Sequence, residues 1–237
     1  MNPQFLPFPV KDVTVPRVPT ICAIETTTPH ASLGLWRDDA CLFSADFTSQ
    51  RHHHALLFAP LQQLIEVLGD APLDAVIIGT GPGSYSGARV GIAAGQGLAM
   101  IHQCPAIGLS SLLATGYPRA TMIGDARRDT AWTATLDAFT LPTPSLVPMP
   151  DLAAALPATR PLITFDDPGA FALPEDITPK RTYPTAEHLA AAWFAHSPEI
   201  QRELATTPPQ PAYLAPPHIT PAKPGHPLRR PARRKTV

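Results

Sequence analysis

With 237 residues, 44% of them hydrophobic, the chain can bury the core of one large domain or of two small ones sharing an interface. Its net charge of −1 is unevenly spread: residues 221–237 hold six of the 18 Lys and Arg and no acid, leaving 12 basic against 19 acidic residues, −7, on the rest. A body of that sign is not drawn to nucleic acid by general attraction. Three scattered cysteines with no CxxC argue against a disulfide scaffold or zinc site, and no run reaches the length of a membrane span.

Residues 1–19 are read as a Pro-punctuated, disordered extension with neither the basic nor the apolar region of a leader, which points to the cytoplasm. "TICAIETTT" then reads as a buried strand ending in polar residues, followed by strands at "ASLGLW" and "CLFSADF". Residues 51–68 are predicted helical, because Leu57, Leu61, Leu64 and Leu68 form one apolar stripe; Pro60 is expected to bend it. "LDAVIIG" is a strand, and a glycine-rich turn leads from it into a second helix. "CPAIGL" and "SSLLATGY" follow as a short strand and a Ser-capped helix. Beyond them come two strands joined at "DARRDT", a short helix at "PDLAAAL", a strand at "PLITF" and a helix at "TAEHLAAAWFAH". The pattern is α/β with a mixed sheet in each half, the second a reduced version of the first. It divides into a subdomain at 20–117, another at 118–215, and a Pro-rich basic tail at 216–237, read as a solubilising tail.

The turn "GTGPGSYSGARVGIAAGQGLA" at residues 79–99 admits two readings. A phosphate-binding loop is one, but no Lys lies between positions 12 and 179 to complete a Walker loop. The dinucleotide pattern fails as well, with Ser86 where its third Gly belongs. What remains is helix N-terminal amides beside Ser84, Ser86 and Arg89. Packing is the other reading. Gly87, Gly91, Gly95 and Ala99 form one row along the helix, and interior glycines cost about 1 kcal/mol each relative to Ala. A close neighbour offsets that cost: the sheet, the Leu stripe or another protein chain.

These segments in order resemble the bacterial TsaB (YeaZ) family. "ICAIETTTPHASLGL" is similar to its opening strand and turn, and "RHHHALLFAPLQQLI" to its first helix. "GPGSYSGARVGIAAGQGLA" is similar to its signature "GPGSFTGxRxGxxxAxGLA". "PAIGLSSLLA", "MIGDARRDTAWTA" and the closing "PAYL" match later segments, so the resemblance spans residues 20–215. It implies the actin-like ATPase (acetate/sugar kinase–Hsp70–actin) fold. It also implies a cytoplasmic, non-catalytic partner of the transferase TsaD in making N6-threonylcarbamoyladenosine at position 37 of tRNA. A TsaE-type ATPase joins the assembled complex, tRNA is met indirectly, and the subunit alone forms a homodimer. The family pairs through its first two helices, which places Leu57, Leu61, Leu64, Gly87, Gly91, Gly95 and Ala99 at the partner interface.

The cofactor implied is ATP or ADP with Mg²⁺ at the complex interface, met by Glu25, Thr26, Thr27, Gly81, Gly83, Ser84 and Asp125. Glu25 stands where the family has Asp, and Ala215 replaces its closing Arg. A local reading makes Glu25 a structural carboxylate accepting amide hydrogen bonds instead. Catalytic relatives hold a metal with two His at i and i+4. Here Leu56, Leu57 and Phe58 stand four after His52, His53 and His54, so these read as a solvated helix start. The competing function is an independent ATP-dependent enzyme of small-molecule kinase type, using Glu25 and the loop at 81–87.

Overall fold

The run "TICAIE" forms β1 (Thr20–Glu25), and all six residues are buried because both faces of the strand are covered. It lies at the centre of a five-stranded sheet ordered β3-β2-β1-β4-β5, with β2 at His30–Arg37, β3 at Ala40–Thr48, β4 at Ala75–Gly79 and β5 at Ala106–Leu109. β2 and β3 pair antiparallel, while β1, β4 and β5 run parallel. The computed structural model describes residues 18–38, 40–48, 53–138, 140, 142–157 and 161–214, with backbone alone at 53–55. The N-terminal extension up to residue 17, the basic tail, Ala215, His52 and the His53 and His54 side chains lie outside the described residues.

Two helices cover one face of this sheet: α1 (His53–Leu68), with Pro60 inside it, and α2 (Tyr85–His102). Ser84 caps α2 by accepting the Gly87 amide at 3.2 Å. Leu57, Leu64 and Leu68 from α1 and Ile92, Leu98 and Ala99 from α2 join Cys22, Ile24, Val76 and Ile78 in one buried cluster. The neighbour of the small-residue row is therefore the chain's own sheet. A Cβ at Gly87 would strike the Thr26 carbonyl oxygen, one at Gly91 the Thr26 hydroxyl, and one at Gly95 the Ile78 side chain.

The second half repeats the plan. Its strands are β6 (Arg119–Asp125), β7 (Thr130–Asp137), β8 (Ser145–Pro148), β9 (Leu162–Thr164) and β10 (Lys180–Arg181), ordered β10-β9-β6-β7-β8. Position for position this is the order and polarity of the first sheet. Two such mixed sheets flanked by helices make the actin-like ATPase fold. The helices are reduced: α3 (Leu152–Ala155) is a single turn.

The expected "SSLLATGY" helix is one 3-10 turn, Ser111–Leu113. A larger difference concerns the division at residue 117. Helix α4 (Ala186–Ala195) packs on the other face of the first sheet, where Leu189, Ala190 and Trp193 join Ile21, Ala23 and Ile77. The last helix, α5 (Pro198–Leu204), contacts β5. Ala212 then donates its amide to the Thr80 carbonyl at 2.8 Å. The residues after 185 thus return to the first half, because its sheet has a second apolar face to cover.

The row gives a paired test. Gly87→Ala drives a methyl into the Thr26 carbonyl and should lower stability by about 1–3 kcal/mol. Gly97 is exposed, with nothing within 4 Å of an added Cβ, so Gly97→Ala should gain about 0.5–1 kcal/mol from helix propensity. Denaturant midpoints of the two variants should move in opposite directions.

Candidate functional site

In an open α/β sheet the carboxyl ends of the parallel strands are where ligands gather. In the first sheet those ends carry Glu25, Gly79 and the turn after Leu109. Glu25, Thr26 and Thr27 are fully buried, so every polar group there needs an internal partner. Glu25 Oε1 accepts the Thr27 amide at 2.7 Å and lies 2.5 Å from the Thr27 hydroxyl. The Thr27 hydroxyl is also 3.1 Å from Ser111 Oγ, which accepts the Gly81 amide at 3.0 Å. Thr26 donates its hydroxyl to the Gly87 carbonyl at 2.8 Å. Burial pushes the Glu25 carboxyl above the ordinary glutamate range, against the opposing pull of the Ser111 and Thr27 hydroxyls and the Thr27 and Thr26 amides. Glu25 Oε2 has no hydrogen-bond partner among the described residues.

The glycine loop is stitched to this end of the sheet. Besides the Gly81 amide, the Ser84 amide donates to the Thr27 carbonyl at 2.6 Å, and the Gly87 amide is taken by the Ser84 cap. Gly83 is exposed, but its inner side faces the Thr27 carbonyl. Three amides that would cradle a phosphate are thus committed to protein groups. Asp125, at the end of β6, is half-buried and accepts the Arg127 amide at 2.7 Å and its guanidinium at 2.9 Å. Its own amide donates to Asp166 Oδ2 at 2.8 Å. Among the described residues no hydrogen bond or ion pair joins Glu25 to Asp125. A groove of about 530 Å³, lined by His30, Asp46, Thr48, Arg181 and Tyr183, contains none of the residues expected to meet a nucleotide.

The residues expected at a partner interface also need correction. Leu57 and Leu64 are buried in the chain's own core, Leu61 packs against it, and Gly87, Gly91, Gly95 and Ala99 face β1 and β4. A side chain spent on the intramolecular core is not available to a second protein. What α1 turns outward is Leu56, Phe58, Ile65 and Val67; α2 turns out Tyr85, Met100 and Ile101. Phe58, Met100 and Ile101 are 64%, 80% and 76% exposed, far from the usual state of such side chains. Sequence reasoning missed this set, although these residues interleave with the stripe it did find. It also missed Arg89 and Tyr213, 124 positions apart: Arg89 donates Nε–H to the Tyr213 hydroxyl at 2.8 Å and lies 4.0 Å from the Tyr85 ring.

Residues 47–134, which carry α1, β4, α2 and β5, match the family model described as "TsaD: tRNA N6-adenosine threonylcarbamoyltransferase". The chain is 35% identical over 95 residues to an Escherichia coli K12 protein named tRNA threonylcarbamoyladenosine biosynthesis protein TsaB, covering 39% of this chain and 41% of that one. A Haemophilus influenzae protein of the same name is 32% identical over 102 residues, 40% of this chain and 41% of that one. The match thus spans about two fifths of the length of these named relatives. Over 75% of this chain and 87% of the relative, an uncharacterized Mycobacterium tuberculosis H37Rv protein is 28% identical. The structure of YeaZ from Pseudomonas aeruginosa superposes with a TM-score of 0.62 at 22% identity, over 83% of this chain and all of that one. The chain is thus similar in sequence to proteins named TsaB over part of their length, and in fold to YeaZ.

Glu25 yields a pH test. Its carboxyl is raised in the folded state, so between 4.5 and the higher folded value the unfolded chain has lost a proton that the folded chain keeps. Stability from this group is complete below 4.5 and falls as pH rises through the folded pKa, by up to about 1.4 kcal/mol per pH unit. Glu25→Gln keeps an acceptor for Thr27 and removes the proton. Melting curves from pH 4 to 8 should show wild type losing stability relative to Glu25→Gln as pH rises.

Proposed function

We propose that the chain is the non-catalytic partner subunit in forming N6-threonylcarbamoyladenosine at position 37 of tRNA, and that it pairs with a TsaD-type transferase. The carrying observation is the apolar face of α1 and α2, with Phe58, Met100 and Ile101 held out to solvent by helices whose other sides are already packed. The names of the E. coli and H. influenzae relatives support the pathway. The family-model match falls on the segment that carries the face. In isolation the same face would join two copies, and in the full complex a TsaE-type ATPase would be a further member. The tRNA is reached through the transferase, which suits a body whose charge is −7 outside the tail. The cytoplasm, where tRNA is modified, is the expected location, and no described helix is long and apolar enough to cross a membrane.

The non-catalytic reading is supported by the glycine loop. Its neighbouring carboxyl is sealed and Asp125 is tied to Arg127. An independent small-molecule kinase is the weaker reading for the same reasons.

Two measurements test this. The isolated chain should transfer no threonylcarbamoyl group to tRNA, and adding it to a TsaD-type transferase should raise turnover. Phe58→Asp and Met100→Asp should each weaken binding to that transferase about 30-fold or more, as expected for a central apolar anchor worth about 2 kcal/mol. Both positions are surface sites of the free chain, so its melting temperature should stay within about 2 °C. Unchanged affinity in both variants would remove α1 and α2 as the pairing face.

A further inference from the structure

The actin-like ATPase fold implies a nucleotide phosphate and Mg²⁺ between the turn after β1 and the glycine loop. The residues of this chain do not fit that group. Glu25 is sealed from solvent, and the Gly81, Ser84 and Gly87 amides already have protein acceptors. The space over Gly79 is full as well: a Cβ there would strike Glu25 Oε2, would lie 2.6 Å from the Glu25 carboxyl carbon and 2.9 Å from Ser111 Oγ.

We propose that Glu25 is the built-in occupant of this position, an intramolecular ligand that closes the glycine loop to nucleotide. The carboxyl sits where two donors converge, the Thr27 amide and the Thr27 hydroxyl, and the same hydroxyl lies 3.1 Å from Ser111 Oγ. Ser111 passes the connection to the Gly81 amide, and the Gly81 carbonyl accepts the Ser111 amide at 3.0 Å. One side chain thereby ties β1, the glycine loop and the turn after β5 together, as a bound anion would. Gly79 completes the arrangement, since any Cβ at that position would displace the carboxyl. Asp, one methylene shorter, would not bring its carboxyl over Gly79 in the same way. This inference concerns the chain alone and does not rest on the transferase partnership.

It follows that removing the Glu25 side chain uncovers a small carboxylic-acid site beside the Thr27 amide and hydroxyl, which formate or acetate would enter. The experiment compares wild type with Glu25→Ala in sodium formate, sodium acetate or sodium chloride at matched ionic strength. Glu25→Ala should melt below wild type in chloride and recover about 2–4 °C in formate, following ligand linkage. Wild type should shift by less than about 1 °C under the same change of salt. Calorimetric titration of wild type with Mg-ATP should give no binding heat. A folded Glu25→Ala that melts identically in formate and chloride overturns the proposal, and so does stoichiometric Mg-ATP binding by wild type. If Glu25→Ala does not fold in chloride, its refolding yield in formate gives the same reading: a higher yield supports the occupant role, and an equal yield overturns it.

Discussion

The contact between the Thr26 carbonyl and Gly87 is the constraint on which the first half depends. A central strand that ends in four polar residues, Glu25 to Thr28, buries groups that water would otherwise satisfy. Their partners must come from neighbouring elements, and the nearest is the start of α2. Helix backbone approaches that closely only where side chains are absent, which accounts for glycine at 87 and 91. The helix-propensity cost of these glycines, about 1 kcal/mol for an interior position, is offset by a shared hydrogen-bond network and by the apolar contacts of Ile92, Leu98 and Ala99 further along the helix.

The two halves treat the same topological position differently. Both present the carboxyl ends of three parallel strands, and both open on an acid at the end of the central strand. In the first half that acid is enclosed and bonded to hydroxyls and amides. In the second it is half-buried and paired with Arg127, on a turn where Arg127, Arg128 and Asp129 all take left-handed backbone conformations. The two sheets share one topology, and side-chain choice makes one end a sealed joint and the other a charged surface.

Much of this was legible in the sequence. β1, β4, α1 and α2 follow from apolar runs and helical spacing, which depend only on neighbours a few residues away. β8 follows Pro144 and ends on Pro148, a pattern that reads as a loop, although an edge strand tolerates proline there. α5 has no buried residue, so it shows no stripe. The Leu stripe was found, but periodicity says only that a face is buried and not against what, so Leu57 and Leu64 were assigned to a partner when the sheet claims them. At the site, Glu25 was noticed while its direction was not. Ser111 lies 84 positions from Thr27, and no local pattern announces their contact.

Helix α4 carries a mechanical consequence. Enzymes of clamp type work by swinging two bodies about a hinge, and each body must then own its core. Here α4 follows the second sheet in sequence yet supplies Leu189, Ala190 and Trp193 to the first, and its opening amide at Ala186 is held by Ser32 Oγ at 2.7 Å. Thr185 adds a backbone bond to Ala114. Swinging the halves apart would pull a helix out of the first core or stretch the short segment between β10 and α4. The chain is strapped across its own hinge by α4, so the two halves share one core and cannot separate without breaking it.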